Sequence, residues 1–383
     1  MTLPELLSNE ELRQYEFPVT RGKIFLAHAA VCALPRRVAE AVSQCALQAT
    51  QGDQEETFPA ARIHHARALA AQLLGAQPGE IALVGPTSLA LSFVAGGLPW
   101  RKGDNLLVYF DDYPSNVYPW TALAARGVEA RLLNIKEYGR IRALDVLGQV
   151  DERTKLVALA SNHFVAGFRI DTDAIGKALA ERNILFCVDG IQTVGAFPTS
   201  VRHVDFLAAD AHKWLLGPCG AGIFYVRKPL QEILRPMVFG WHNVRCPNFV
   251  AQEQLVYPPD ARRYEAGSAS LLGLAGLSAA LELLLEIGVE NIAARLLHLR
   301  SLLVPALQEK GWTVLQADAP PQHASSIISF YRPDTDLPAL RAKLLAAGIE
   351  TSLRADRAGR HFIRVSPHFY NTDEEIRRFL KHI

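Results

Sequence analysis

Short apolar runs alternate with helix-length segments through the middle of the chain. Residues 80–84 form an apolar run that stops at Gly85, and residues 88–96 read as a helix. Further runs lie at 105–110, 128–133, 156–160, 184–188, 205–209 and 221–226, with a helix over 173–181 among the intervening segments. Uninterrupted apolar runs suit strands covered on both faces, and strand–helix alternation suits parallel pairing. The pattern predicts an α/β domain built on a mostly parallel, seven-stranded sheet.

Beyond residue 270 the rhythm changes. Two consecutive helices are predicted over 271–287 and 290–310. Strands follow at 312–315 and 326–330, a helix over 337–347, a strand at 362–365 and a closing helix from Asp373. This reads as a smaller α+β domain. The predicted division is an N-terminal arm packing on the small domain (1–25), a large domain (26–255) and a small domain (256–383).

Composition narrows the function classes. The 383 residues carry 40 Lys+Arg against 39 Asp+Glu, a net charge of +1 that argues against a nucleic-acid-binding or polybasic membrane-surface protein. With 49% hydrophobic and 21% charged residues the chain is globular rather than disordered. The five cysteines (32, 45, 187, 219 and 246) form no CxxC pair, so neither a disulfide framework nor a zinc site is expected. His64-His65 has no matching carboxylate or cysteine pair, and no metal is expected there either. No run reaches the roughly 20 apolar residues of a membrane span, and the acidic N-terminus lacks the apolar core of an export signal. The expected compartment is the cytoplasm.

Three features fall where the large domain would have its ligand crevice, beyond the carboxyl ends of the strands. Asp189 follows an apolar strand directly, although Asp-Gly also marks simple turns. Lys213, in ADAHKWLLGP, is flanked by apolar residues and a histidine. Desolvation of its amine would lower its pKa and make it a usable nucleophile toward a carbonyl. Gly85-Pro86-Thr87-Ser88 joins a strand to a helix, and this turn is either an anion site or an ordinary N-cap. One ligand satisfies all three: a phosphate at Thr87 and Ser88, an aldehyde at Lys213 and a basic ring nitrogen at Asp189. Pyridoxal phosphate (PLP) has that combination.

With these residues in view, the chain resembles the fold-type I PLP enzymes of the class V aminotransferase group, which includes cysteine desulfurases, kynureninase and isopenicillin-N-epimerase-like proteins. The resemblance runs from IFLAHAAVCALPRRV through GPTSLALSFVA, VDGIQTVGAFP, ADAHKWLLGPCGAGIFYV and YEAGSAS to IRVSPHFYNTDEEIRRFL. It implies that Lys213 holds PLP as a Schiff base and moves protons, and that Asp189 keeps the pyridine nitrogen protonated. It implies further that Gln192 bonds the ring hydroxyl and that Tyr113 stacks on the ring. Thr87, Ser88 and His212 would hold the phosphate, and Ser268 would reach it from the other subunit of a homodimer with shared active sites. Arg364 would take the substrate carboxylate, with Arg354 as a rival, and His28 would line the substrate pocket. His163 is either a second base or a structural histidine, and Trp241 is expected at the dimer interface.

Three positions depart from the group. Phe164 stands where many members have asparagine. Asp210 replaces a phosphate-binding serine and is expected to turn toward His212. The segment 351–366 lacks the persulfide-forming cysteine of a desulfurase. The expected activity is that of a PLP-dependent enzyme on an amino acid, with transamination ranked first. Cleavage of C–S or another β-bond without a catalytic cysteine is the alternative, and epimerisation is third. A non-enzymatic PLP-fold binding protein is set aside, because a structural ligand would not require the pairing of Lys213 with Asp189.

Overall fold

The computed structural model describes residues 1–383. Its strands in chain order are β1 (Ile24–Phe25), β2 (Ile81–Leu83), β3 (Asn105–Val108), β4 (Glu129–Leu132), β5 (Thr154–Ala160), β6 (Leu185–Asp189), β7 (Phe206–Asp210) and β8 (Gly222–Val226). They continue as β9 (Thr313–Val314), β10 (Ile328–Tyr331), β11 (Ile349–Glu350), β12 (Ser352–Ala355) and β13 (His361–Val365).

Seven strands form the large sheet in the order β2-β8-β7-β6-β5-β3-β4. All neighbouring pairs from β7 to β4 are parallel. β8 alone runs against its neighbours β7 and β2. The predicted α/β architecture is therefore present. Its alternating side chains feed two cores. Val157, Leu159, Phe186, Val188 and Leu207 join helices Ala60–Leu74 and Leu271–Ile287 on one face. Leu156, Ala158, Cys187, Phe206 and Ala208 meet helix Thr87–Gly97 on the other. Because both faces are covered, the inner strands β5 to β8 carry no polar alternation, whereas the edge strand β4 (Glu-Ala-Arg-Leu) is half-exposed.

The small domain is a four-stranded antiparallel sheet, β12-β13-β10-β9. Its core includes Leu303 and Leu307 of helix Val289–Glu309, and Ile376 and Phe379 of helix Asp373–Leu380. The N-terminal arm lies against its last helix. Arg13 Nη1 donates to Glu375 Oε1 (2.9 Å) and to Tyr370 O (3.2 Å), and Phe17 stacks on Tyr370 with centroids 4.0 Å apart.

The packing divides the chain differently from the sequence boundaries. β1 pairs in parallel with β11, and Leu26 belongs to the small-domain core, so the chain enters the large domain later than residue 26. Helix Leu271–Ile287 buries 11 of its 17 residues and packs on the large-sheet core, so that core extends beyond residue 255. An apolar helix announces burial but not which sheet will cover it. Strand β12 was also unexpected. No strand is predicted there from the sequence, where Arg354, Arg357 and Arg360 crowd together, yet Arg354 pairs with Phe362 across the β12–β13 ladder.

Candidate active site

The carboxyl ends of β6 and β7 deliver Asp189 and, three residues beyond Asp210, Lys213. The segment carrying Lys213 is clamped on both sides. His212 O accepts from Cys32 N (2.7 Å), Trp214 Nε1 donates to Gln192 Oε1 (2.8 Å), and Gly217 N donates to Ala211 O (2.9 Å). The lysine amine is left facing a cavity of about 280 Å³ that also meets Asp189, Thr87, Ser88, Tyr113, Arg354 and Arg364.

Lys213 is 5% exposed, and no carboxylate lies within ion-pair distance of its amine. Burial pushes its pKa down to about 8. Asp189 opposes that shift, and Arg364 and Arg354 add to it. A buried amine that sheds its proton this readily is prepared to attack a carbonyl. The Tyr113 ring lies under it, with its centroid 5.0 Å from Nζ. Burial likewise raises the pKa of Asp189, against a hydrogen bond accepted from Ile191 N (3.0 Å) and the charge of Lys213. A protonated ring nitrogen would give this carboxylate the partner it lacks.

At the far end of the cavity, helix Thr87–Gly97 starts after Pro86. Leu89 N is the first amide bonded back to Pro86 O, so the preceding amides have no helical partner and suit an anion. The Thr87 hydroxyl accepts from Asp210 N (2.9 Å), which fixes its oxygen and leaves its proton free to donate. A Cβ on Gly85 would come within 2.6 Å of Gly220 C and O, so only glycine lets this turn lie against the loop that follows Lys213. Asp210 does turn away. Its carboxylate accepts from Ala211 N and Gly220 N, and an oxygen stands 2.9 Å from His212 Nδ1 without hydrogen-bond alignment.

The opposite wall comes from the small domain. Arg364 on β13 is 1% exposed, donates through Nη1 to Phe164 O (2.6 Å) and through Nη2 to Ser352 Oγ (3.4 Å), and its Nε has no partner. A buried guanidinium that lines the cavity and pairs with no carboxylate is suited to binding one. Arg354 also lines the cavity, so the structure places both rivals there.

Other expected residues lie elsewhere. Gln192 is buried behind the cavity, with Nε2 donating to Ala29 O (3.1 Å) and Oε1 held by Trp214. His28 does not line the pocket. It is fully buried, Nδ1 donates to Ser366 O (2.9 Å), Nε2 accepts from Tyr370 OH (2.7 Å), and burial drops its pKa to about 4. It ties the entering chain to the small domain because the β1 segment runs alongside Ser366. His163 has both nitrogens engaged. Nε2 donates to Asp111 O (3.0 Å), and Nδ1 accepts from Val165 N and Ala166 N, which leaves it no free base. Ser268 is exposed and lines a neighbouring cavity with Gly85, Gly220 and His242, its hydroxyl donating to Glu55 (3.2 Å).

Asp112 escaped the sequence reading. It accepts from Tyr113 N (2.7 Å), Asn116 Nδ2 (3.1 Å) and Ala160 N (3.0 Å), and so fixes the loop that presents Tyr113. Burial and the nearby Asp189 push its pKa up to about 7. Its position just past β3 is the only sequence signal it gave.

A mostly parallel seven-stranded sheet, a smaller α+β domain and a desolvated lysine with a buried aspartate at the strand ends define a fold-type I PLP-dependent enzyme. The residues present fit that cofactor: unpaired helix amides for the phosphate, Lys213 for the aldehyde and Asp189 for the ring nitrogen. The chain belongs to the aminotransferase class-V family, whose model matches residues 24–379. A probable cysteine desulfurase of Methanothermobacter thermautotrophicus is 29% identical, covering 97% of this chain and 96% of its own. An uncharacterized aminotransferase of Bacillus subtilis is also 29% identical, over 98% and 97%. The apo structure of cysteine desulfurase from Thermococcus onnurineus superposes with a TM-score of 0.89 at 23% identity, covering 100% and 97%. No single helix is long and apolar enough to cross a membrane.

Proposed function

We propose that this chain is a PLP-dependent lyase that cleaves the Cβ–X bond of a β-substituted amino acid. This reverses the order the sequence suggested. Transamination ranked first there, whereas cysteine desulfurase is the commoner name among the similar proteins. The observation that carries the reading is a cavity that holds Lys213, Asp189 and Arg364 together and contains no thiol. A desulfurase hands its sulfur to a cysteine. Here Cys45 and Cys187 are buried in the two cores, and none of the five cysteines lines the cavity. The leaving group therefore departs directly.

Bound PLP supplies an electron sink for the pair released at Cα. The chain's residues do the rest. Arg364 takes the substrate carboxylate, and Thr87, Ser88 and His212 hold the cofactor phosphate. Tyr113 covers the ring, and Asp189 keeps its nitrogen protonated. Gln192 bonds the ring hydroxyl only if an amide proton not used by Ala29 turns toward it. Lys213 Nζ accepts the Cα proton. The Cβ–X bond then breaks with its electron pair leaving on X, and water converts the remainder to pyruvate and ammonia. The active unit is a homodimer. Trp241, Phe239, Phe249 and Val250 form an exposed apolar surface that suits a second copy, and Ser268 of that copy reaches the phosphate.

The test is incubation of holoenzyme with S-methyl-L-cysteine and with L-cystine, without added thiol. Pyruvate and ammonia in equal amounts, over many turnovers, are expected. A single stoichiometric conversion of the cofactor to its amine form, reversed only by a 2-oxo acid, would establish transamination instead.

A further inference from the structure

The cavity holds one more cation than the proposed reaction uses. Lys213 serves the cofactor and the proton, and Arg364 serves the α-carboxylate. Arg354 remains. It is half-buried, lines the main cavity, and its only internal bond is from Nη1 to Leu353 O (2.8 Å). Three other arginines near it have carboxylates. Arg341 lies 3.6 Å from Glu350, Arg357 lies 3.5 Å from Asp111, and Arg360 lies 2.9 Å from Asp356. Arg354 alone of the four has none. Asp189 and Asp210 do not supply one, since neither stands within ion-pair distance of it: Asp189 accepts from Ile191 N, and Asp210 faces His212.

Strand register adds direction. Ser352 pairs with Arg364 across the β12–β13 ladder, and Arg354 is two residues along β12. Cross-strand partners share a face, as do residues two apart, so the two arginines project from the same face as diagonal neighbours, about 7–8 Å apart by the usual spacing. A guanidinium left half-desolvated without an anion, beside one that takes a carboxylate, is matched by a ligand with two acidic groups on a short chain. There is also room for the second group. Ala30, Val31 and Arg354 border both the main cavity and an adjoining one of about 380 Å³.

We infer that Arg354 receives a second anionic group carried on the side chain of the amino-acid substrate, so that the substrate class is the short acidic amino acids. The shared chemistry is a compact anion at the β or γ position: a carboxylate, a sulfinate or a phosphate. This rests on the reading of the site as an amino-acid site.

Holoenzyme is titrated with L-aspartate, L-cysteine sulfinate and O-phospho-L-serine, each compared with neutral L-asparagine, by the change in cofactor absorption. At least one acid should bind about tenfold or more tighter than asparagine, the ratio that one modest charged contact gives, and the ranking identifies the anion. R354Q should bring that ratio toward one, and R354K should restore part of it. Equal affinity for acids and asparagine in the wild type, or an unchanged ratio in R354Q, overturns the inference. Calorimetry with succinate against butyrate separates it from the reading beneath, because neither compound has an amine. Tighter succinate binding that R354Q abolishes, without an absorption response to any amino acid, would keep the anion site and sink the lyase reading. Equal binding of succinate and butyrate would sink the anion site alone.

Discussion

Replacing Lys213 with methionine should make the cofactor-free protein more stable at neutral pH. Lys213 is 5% exposed, and its pKa falls from an ordinary 10.5 to about 8 because burial penalises the ammonium. The folded chain thus binds this proton more weakly than the unfolded chain. Between about pH 8 and 10.5 the unfolded state holds more protons, so the lysine's contribution becomes more favourable as pH rises. Below about pH 8 both states are protonated, and the full penalty applies. A displacement of that size corresponds to about 3 kcal/mol. Methionine keeps the length of the chain and removes the charge. In urea unfolding of the apo protein at fixed concentration, since association itself shifts the midpoint, K213M should exceed wild type by about 2–3 kcal/mol at pH 7. The gap should close as pH approaches 10.5. A gain that does not change with pH would mean that packing rather than desolvation drives it. No gain at pH 7 would mean that the amine is solvated, and the argument for a primed nucleophile would fall with it. The holoenzyme comparison is separate: K213M should have no turnover.

Other residues give sharper single outcomes. D189N, whose amide oxygen can still accept from Ile191 N, should retain the cofactor but lose about 100-fold or more in kcat, the scale of removing one preorganised electrostatic partner. Steady-state kinetics at saturating cofactor decides it. D112A strands three N–H donors in a buried site. It should lose about 3 kcal/mol or more in urea unfolding, with a weaker hold on amino acids because the Tyr113 loop is released. Turning the exposed apolar surface polar with W241E should shift sedimentation toward monomer and speed loss of the cofactor. A W241E protein that sediments as wild type would remove the assignment of that surface.

The large sheet was legible because its inner strands are apolar on both faces, and three strands lead into a chemically distinctive feature: Asp189, Asp210 or the Gly85 turn. Lys213 and Asp189 stood out for the same reason, since a charged residue straight after a buried run needs a partner. Position in space was harder to read. His28 and Arg364 both sit in family-like motifs, yet one is locked between Ser366 and Tyr370 and the other lines the cavity. Only the turn of the entering chain along Ser366 separates them. β12 was hidden by Arg354 within it and by Arg357 and Arg360 just beyond it, whose charges mask a strand that is half-exposed at the sheet edge. Asp112 was invisible because it gathers the Tyr113 and Ala160 backbone amides and the Asn116 side chain from two separate segments, and no spacing along the chain reveals such a convergence.

The charges in the site bear on how the cofactor and the fold support each other. Lys213, Arg354 and Arg364 converge on one cavity, and Asp189 is the carboxylate that shares its walls. Burial lowers the pKa of all three cations, and repulsion from neighbouring arginines adds to it: Arg364 and Arg354 for Lys213, Arg354 for Arg364, and Arg341 for Arg354. Without an anion these charges oppose folding, and anions relieve them. A ligand that binds only the folded chain stabilises it by RT ln(1 + [L]/Kd), about 2.7 kcal/mol at a hundred times Kd. Pyridoxal phosphate should accordingly raise the midpoint of thermal unfolding by several degrees. Pyridoxal, which keeps the aldehyde and lacks the phosphate, should raise it much less at equal concentration, because the unpaired amides before Leu89 and the Thr87 hydroxyl go unused. Repeating the comparison in K213M isolates the anion. If the phosphate is held as argued, pyridoxal phosphate still stabilises K213M while pyridoxal does not. Equal shifts from the two compounds would place the phosphate in solvent and return the Gly85–Ser88 turn to an ordinary helix start.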